Sequence, residues 1–178
     1  LDEDRETFSP EDLAAIKEIF LGVAEKYAPF DINVTTREAT RDAAVRLENT
    51  IITPTADWYE LGAAGVCFTA GYDLEEYDPC WVFTGRLANR PDFIANAAAH
   101  ELGHSFGLQH HGMFDVDGNR VMSYAPVLGS GSSTWGPIMG SPQGASLIGW
   151  FSGPTTALTA AGMLQDDIAV MSAMFGIA

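Results

Sequence analysis

The sequence predicts one mixed α/β domain of the α+β kind over residues 1–178, and three observations predict it. An amphipathic helical pattern opens the chain, compact β-branched and aromatic runs follow, and a second helical stretch gives way to a segment dense in Gly, Ser and Pro. The length is enough for one domain with a real core. A hydrophobic fraction of 47% against 19% charged residues argues against disorder.

Residues 9–27 read as the first helix. Ser9 can cap it, Pro10 takes the first helical position, and Glu11 and Asp12 suit its positive end. Leu13, Ile16, Phe20, Val23, Ala24 and Tyr27 recur at helical spacing as one apolar face, and Pro29 ends the pattern. Asp31 to Arg37 then alternates, with Ile32 and Val34 on one side, as a short strand does. Residues 45–53 are a second strand through Val45, Leu47, Ile51 and Ile52. The runs AGVCFTA (64–70) and CWVFT (80–84) are stronger strands, bounded by Gly, Asp and Pro. A helix beginning near Pro91 follows. From Gly129 to Pro154 the composition favours a shaped loop over regular structure. Residues 158–175 read as a terminal helix with Leu164, Ile168, Met171 and Phe175 on one face.

A net charge of −15 argues against nucleic acid as a partner, because phosphate binding needs a basic footprint. No apolar run approaches the roughly 18 residues that span a bilayer. The chain starts at Leu1 without a basic, apolar leader, so a mature or excised domain, part of a larger secreted polypeptide, is expected. Cys67 and Cys80 are the two cysteines. In an oxidising compartment they could close a loop worth about 3 kcal/mol in the chain-entropy model; the alternative is a pair of buried free thiols.

All four histidines fall between positions 100 and 111. On a helix, His100 and His104 stand one turn apart on one face, where both imidazoles can reach one metal. Glu101 sits beside them, near enough to address a water without ligating the metal. Ala95, Ala98, Leu102 and Phe106 point towards a core. Gly107 is a natural helix stop, after which His110 can swing back as a third ligand. Three imidazoles with an open fourth position are the catalytic zinc pattern. His111 could compete with His110; otherwise it faces solvent or supports the site.

The run His100-Glu101-Leu102-Gly103-His104-Ser105-Phe106-Gly107-Leu108-Gln109-His110 matches HExxHxxGxxH, so the chain resembles the metzincin clan of zinc peptidases. More narrowly, it is similar to secreted bacterial metzincin-type domains. That likeness rests on the NVTT segment after the first helix, on Trp135-Gly136-Pro137-Ile138-Met139-Gly140, and on Gln165-Asp166-Asp167-Ile168-Ala169-Val170. The resemblance implies a twisted, mostly parallel sheet with an antiparallel edge strand, backed by the first helix and the zinc-site helix, in an upper subdomain of about residues 1–107. It also implies an irregular lower subdomain, about 108–178, with a methionine turn under the zinc and a C-terminal helix. AGVCFTA would be the edge strand and CWVFT its neighbour, which would bring Cys67 and Cys80 close. The family pattern has a further strand before the first helix, for which residues 1–8 are a poor match, so that strand is either cut away or missing from a reduced sheet. Met139 is favoured for the methionine turn, with Met122 in Val-Met-Ser-Tyr as the alternative.

The implied activity is an extracellular zinc endopeptidase acting on protein or peptide substrates. Zinc, bound by His100, His104 and His110, would activate a water, with Glu101 as general base and Tyr124 as a candidate stabiliser of the transition state. Substrate would lie along the AGVCFTA edge as an added strand. The apolar residues Ile138, Leu147, Ile148 and Trp150 suggest an apolar pocket for the side chain after the cleaved bond. Two other functions stay open: a non-catalytic zinc-bearing binding or assembly domain of a larger surface protein, and a zinc hydrolase acting on a non-peptide amide. Asp115-Val116-Asp117-Gly118-Asn119 resembles the start of a calcium loop but lacks the downstream glutamate, so a Ca2+ site competes there with a plain polar turn.

Overall fold

The computed structural model describes residues 7–37, 46–59, 61–72, 74, 79–156 and 163–178. Residues 1–6, Val45 and residues 157–162 lie outside these, and with them the expectations for a leading strand, for the start of the second strand and for an early start to the last helix. The described chain is a mixed α+β fold of three helices and several small sheets.

Helix α1 (Pro10–Tyr27) begins with a reciprocal cap. Asp12 N donates to Ser9 Oγ at 3.1 Å, and Ser9 N donates back to Asp12 Oδ2 at 3.2 Å. Its buried face is Ile19, Val23 and Tyr27, while Leu13 is 54% exposed. The apolar stripe is therefore rotated from the one expected. Gly22 explains the rotation: a Cβ there would stand 2.8 Å from Ala95 Cβ, so α1 crosses helix α2 (Pro91–Ser105) at a contact between small residues. The Tyr27 hydroxyl then donates to Ala99 O at 2.9 Å inside the core.

In front of these helices lies a sheet of β1 (Thr50–Thr53), β2 (Gly65–Val66) and β3 (Cys80–Phe83), in the order β1-β3-β2. β1 runs parallel to β3, and β2 pairs antiparallel as the edge. All three strands are shorter than the sequence suggests. After Val66 the chain leaves the ladder so that Ala70 N and Tyr72 N reach His104 O and Ser105 O, satisfying carbonyls at the end of α2. Residues 31–37 form no strand. Ile32 and Val34 do pack on the core, but the amides of Ile32 and Arg37 are taken by Phe30 O and Thr35 Oγ1 in local turns. Cys67 and Cys80 take the register pair next to Val66 and Trp81, with Cα atoms 4.5 Å apart, and form a disulfide.

The segment expected to be irregular carries short ladders instead. β4 (Met113–Phe114) and β5 (Arg120–Met122) make a hairpin; β6 (Leu128–Ser130), β7 (Ser133–Pro137) and β8 (Leu147–Gly149) form a second three-stranded sheet; β9 (Ser152–Pro154) pairs with β10 (Leu164–Asp166). Gly129 and Gly131, both at positive φ, shape the β6–β7 turn, so the glycines that argue against long strands make short ones possible. Helix α3 covers Asp167–Phe175 and starts later than expected, because residues 164–166 are spent on β10 and Asp166 caps the helix through Ala169 N at 3.0 Å. Of the predicted face, Met171 is buried and Phe175 packs on the core, while Leu164 and Ile168 are exposed. One core runs from Ile19 on α1 through Val82 and Ala99 to Ile138, Met139 and Met171.

Candidate metal centre

Helix α2 ends in a Schellman turn. Leu108 N donates to Gly103 O at 2.9 Å and Gly107 N to His104 O at 2.8 Å, with Gly107 at φ +93°. This turn reverses the chain and brings His110 back beneath the helix. His104 Nε2 and His110 Nε2 are 2.8 Å apart, and His110 Nε2 and His100 Nε2 are 3.1 Å apart. These three residues can hold a metal ion.

The opposite ring atoms decide what the cluster can bind. His100 Nδ1 lies 2.7 Å from Ile138 O and His104 Nδ1 lies 2.8 Å from Leu108 O. A carbonyl only accepts, so each Nδ1 carries the proton and each Nε2 presents its lone pair. Two lone pairs thus converge on His110 Nε2, an arrangement satisfied either by a proton on that nitrogen or by a cation shared among the three rings. Nitrogens around a tetrahedral zinc stand roughly 3.3 Å apart, from a bond length of about 2.0–2.1 Å, close to the spacing here. Burial lowers the pKa of all three imidazoles, His100 to about 3 and His110 to about 4, with the neighbouring histidines reinforcing the effect in those two. The set is held neutral, as metal ligation requires.

Glu101 is buried against the same cavity, and burial raises its pKa to about 8. A Cβ on Gly65 would stand 2.6 Å from Glu101 Oε1, so the edge strand leaves room for this carboxyl only because residue 65 has no side chain. The Tyr124 ring lies tilted against the His110 ring with centroids 4.4 Å apart, and the tyrosine lines the cavity. Burial and the nearby Glu101 raise the Tyr124 pKa.

The two methionines part company. Met139 is fully buried at the third position of a turn closed by Gly140 N to Pro137 O at 3.0 Å. Its sulfur would stand 2.6 Å from a Cβ on Gly103, so it lies directly under the histidine helix. Met122 is half-exposed on β5. His111 turns away from the three histidines and is buried, with Nε2 2.9 Å from Asp167 Oδ1. Asp115 spends its carboxylate on the hairpin turn, accepting from Asp117 N, Asn119 N and Asn119 Nδ2. These are the bonds of a polar turn.

The cavity has a volume of about 480 Å³ and is bounded on one side by the edge strand. Of the apolar residues expected around it, Ile138 alone takes part; Leu147 is 64% exposed, and Ile148 and Trp150 pack on the core. Trp150 is drawn there by its indole nitrogen, which donates to Lys26 O at 2.7 Å. Ser141, Pro142 and Gln143 form the wall instead. Sequence reasoning missed Asn96 on this wall, Gly65 beneath Glu101, and the roles of Gln165 and Asp167, whose only signal was their place in a run that resembles a family motif.

Among the described residues, no helix is long and apolar enough to cross a membrane. Comparison with models of protein families, with curated proteins and with solved structures finds no match to this chain.

Proposed function

We propose that this chain is a zinc-dependent endopeptidase of the metzincin kind, with His100, His104 and His110 as ligands and Glu101 as general base. The observation that carries the reading is the convergence of imidazole nitrogens, two of them tautomerically fixed, on one point beside a buried carboxyl in an open cavity. A zinc ion there would supply Lewis-acid polarisation and a water acidified to a pKa of about 7.

The chain's own residues supply the rest. Glu101 receives the proton of the attacking water on its carboxylate and passes it to the leaving amine. Tyr124, whose ring lies beside His110, would donate its hydroxyl proton to a developing oxyanion. The edge of β2, unpaired among the described residues, offers main-chain groups to an extended peptide lying across the cavity. Met139 under Gly103 fits the methionine turn of that clan, and the Cys67–Cys80 disulfide fits an oxidising, extracellular setting.

The test pairs metal content with cleavage of casein, in wild type and Glu101→Ala. One zinc per chain in both proteins, with cleavage in the wild type alone, is the expected outcome. Zinc in both and cleavage in neither would move the assignment to a zinc-bearing binding domain. A folded wild type that refuses zinc would remove the ligand assignment.

A further inference from the structure

Asn96 lies one helical turn before His100, on the same face of α2. It is 6% exposed and lines the cavity that holds the histidines and Glu101. Its carboxamide makes no hydrogen bond among the described residues, and its polar atoms are not among the fully enclosed unpaired ones, so they open on the cavity. Buried side-chain amides in folded proteins are nearly always bonded. One that meets only cavity solvent is open to a ligand group that displaces that water.

The surroundings limit what that partner can be. Ala97 adds little bulk beside Asn96, and Pro142 helps wall the cavity. Ser141 Oγ donates to Gln143 Oε1 at 3.1 Å, which leaves the Gln143 amide nitrogen free for a further bond. Among the described residues no Lys, Arg or Asp lines the cavity, and Glu101 is the carboxyl that does. An aliphatic side chain placed against Asn96 would seal the amide away from water without a partner. A charged one would be desolvated without a counter-charge. A neutral carboxamide offers one donor group and one acceptor, and can pair with Asn96 through two bonds.

We infer that Asn96 determines the specificity of the cleft, selecting substrates with Asn or Gln immediately after the cleaved bond. The inference rests on the peptidase reading above and names the substrate class of that site.

The zinc-loaded wild type, Asn96→Leu and Asn96→Asp would each be given a peptide library derived from a whole proteome, with cleavage sites read by mass spectrometry. Two peptides that differ only by Gln or Leu after the scissile bond would then supply kcat/KM ratios. The wild type should prefer the Gln peptide by about tenfold or more, and Asn96→Leu should reverse the order. Asn96→Asp is nearly isosteric, so it keeps the fold if the leucine variant does not; it should add Lys and Arg to the accepted set. Glu101→Ala protein should bind the Gln peptide more tightly than the Leu peptide, a readout that needs no turnover. Cleavage with an aliphatic preference in the wild type, or an unchanged profile in the variants, overturns this inference and leaves the peptidase reading standing. Failure of the zinc-loaded wild type to cut any peptide of the library overturns both.

Discussion

His111 Nε2 lies 2.9 Å from Asp167 Oδ1, and both side chains are completely buried. Asp167 opens α3, yet it serves the loop that carries the third histidine. Its Oδ1 also accepts from Gln165 Nε2 at 2.8 Å, and its Oδ2 from Phe151 N at 3.0 Å. Gln165 in turn brackets the main chain of Gln109, accepting from Gln109 N at 2.9 Å and donating to Gln109 O at 3.1 Å. The residues on either side of His110 are thus tied to the C-terminal element, each across 56 residues of the chain, and these ties set the position of the third imidazole.

Asp167→Ala leaves His111 Nε2 and Phe151 N without their partner, while Gln165 Nε2 keeps Gln109 O. Each buried group so orphaned costs about 1–3 kcal/mol, so a loss of at least about 2 kcal/mol in urea unfolding of the metal-free protein is expected. Zinc affinity, measured by competition with a chelator, should fall with it, because His110 is no longer held. Unfolding and zinc affinity both matching the wild type would show that the pair does not hold the loop.

Gly65→Ala should separate metal binding from catalysis. The added methyl would overlap Glu101 Oε1 and Trp81 O, at 2.6 and 2.8 Å, and the main-chain oxygen cannot yield. The carboxyl must move, while His100, His104 and His110 lie on other elements. Zinc content should remain at one per chain, and kcat on casein-derived peptides should drop by about tenfold to a hundredfold, the scale of a misplaced general base. A variant that loses zinc in proportion to activity would contradict this separation.

How much of this was legible beforehand follows from the range of each interaction. The histidine cluster was readable because its logic is local: a one-turn helical spacing and a glycine stop fix two ligands and release the third, all within eleven residues. The Ser9 cap and Pro91 start are local in the same sense. Gly65 against Glu101, Gly103 against Met139 and His111 against Asp167 join residues whose types alone give no pairing signal, since a glycine or a buried acid has many ordinary uses. The strand expected over 31–37 failed for the converse reason. Alternation reports which side chains reach the core, and Ile32 and Val34 do reach it, but it does not report whether a neighbouring main chain is there to pair.

Gly103→Ala tests the support under the metal site. A Cβ there would meet Met139 Sδ at 2.6 Å and Leu108 Cδ1 at 3.4 Å in a fully packed region. Methionine is flexible, so the fold should survive with a loss of about 1–3 kcal/mol, the usual cost of an overpacked core. Met139→Ala in the same background should recover part of that loss by making room. If the double variant is less stable than the sum of the two single changes, the two residues do not compete for one space.

The pH dependence of the metal-free protein follows from two opposed sets of groups. His100 and His110 have folded values of about 3 and 4 against an ordinary 6.5, so the unfolded chain binds their protons first. Their stabilising contribution is complete above about pH 6.5 and is lost as pH falls towards the folded values. Glu101 behaves in the opposite sense, with a folded value of about 8 against an ordinary 4.5. Its contribution is complete below about pH 4.5 and is lost as pH rises through 8. Between about pH 6.5 and 8.5, Glu101 therefore dominates this site's slope. Wild-type stability should decline there relative to Glu101→Gln, whose neutral amide cannot ionise. The check is urea unfolding of both chelator-treated proteins at several pH values: a widening gap above pH 6.5 places the buried, protonated carboxyl beside the histidines, and parallel curves would show that Glu101 is ionised throughout.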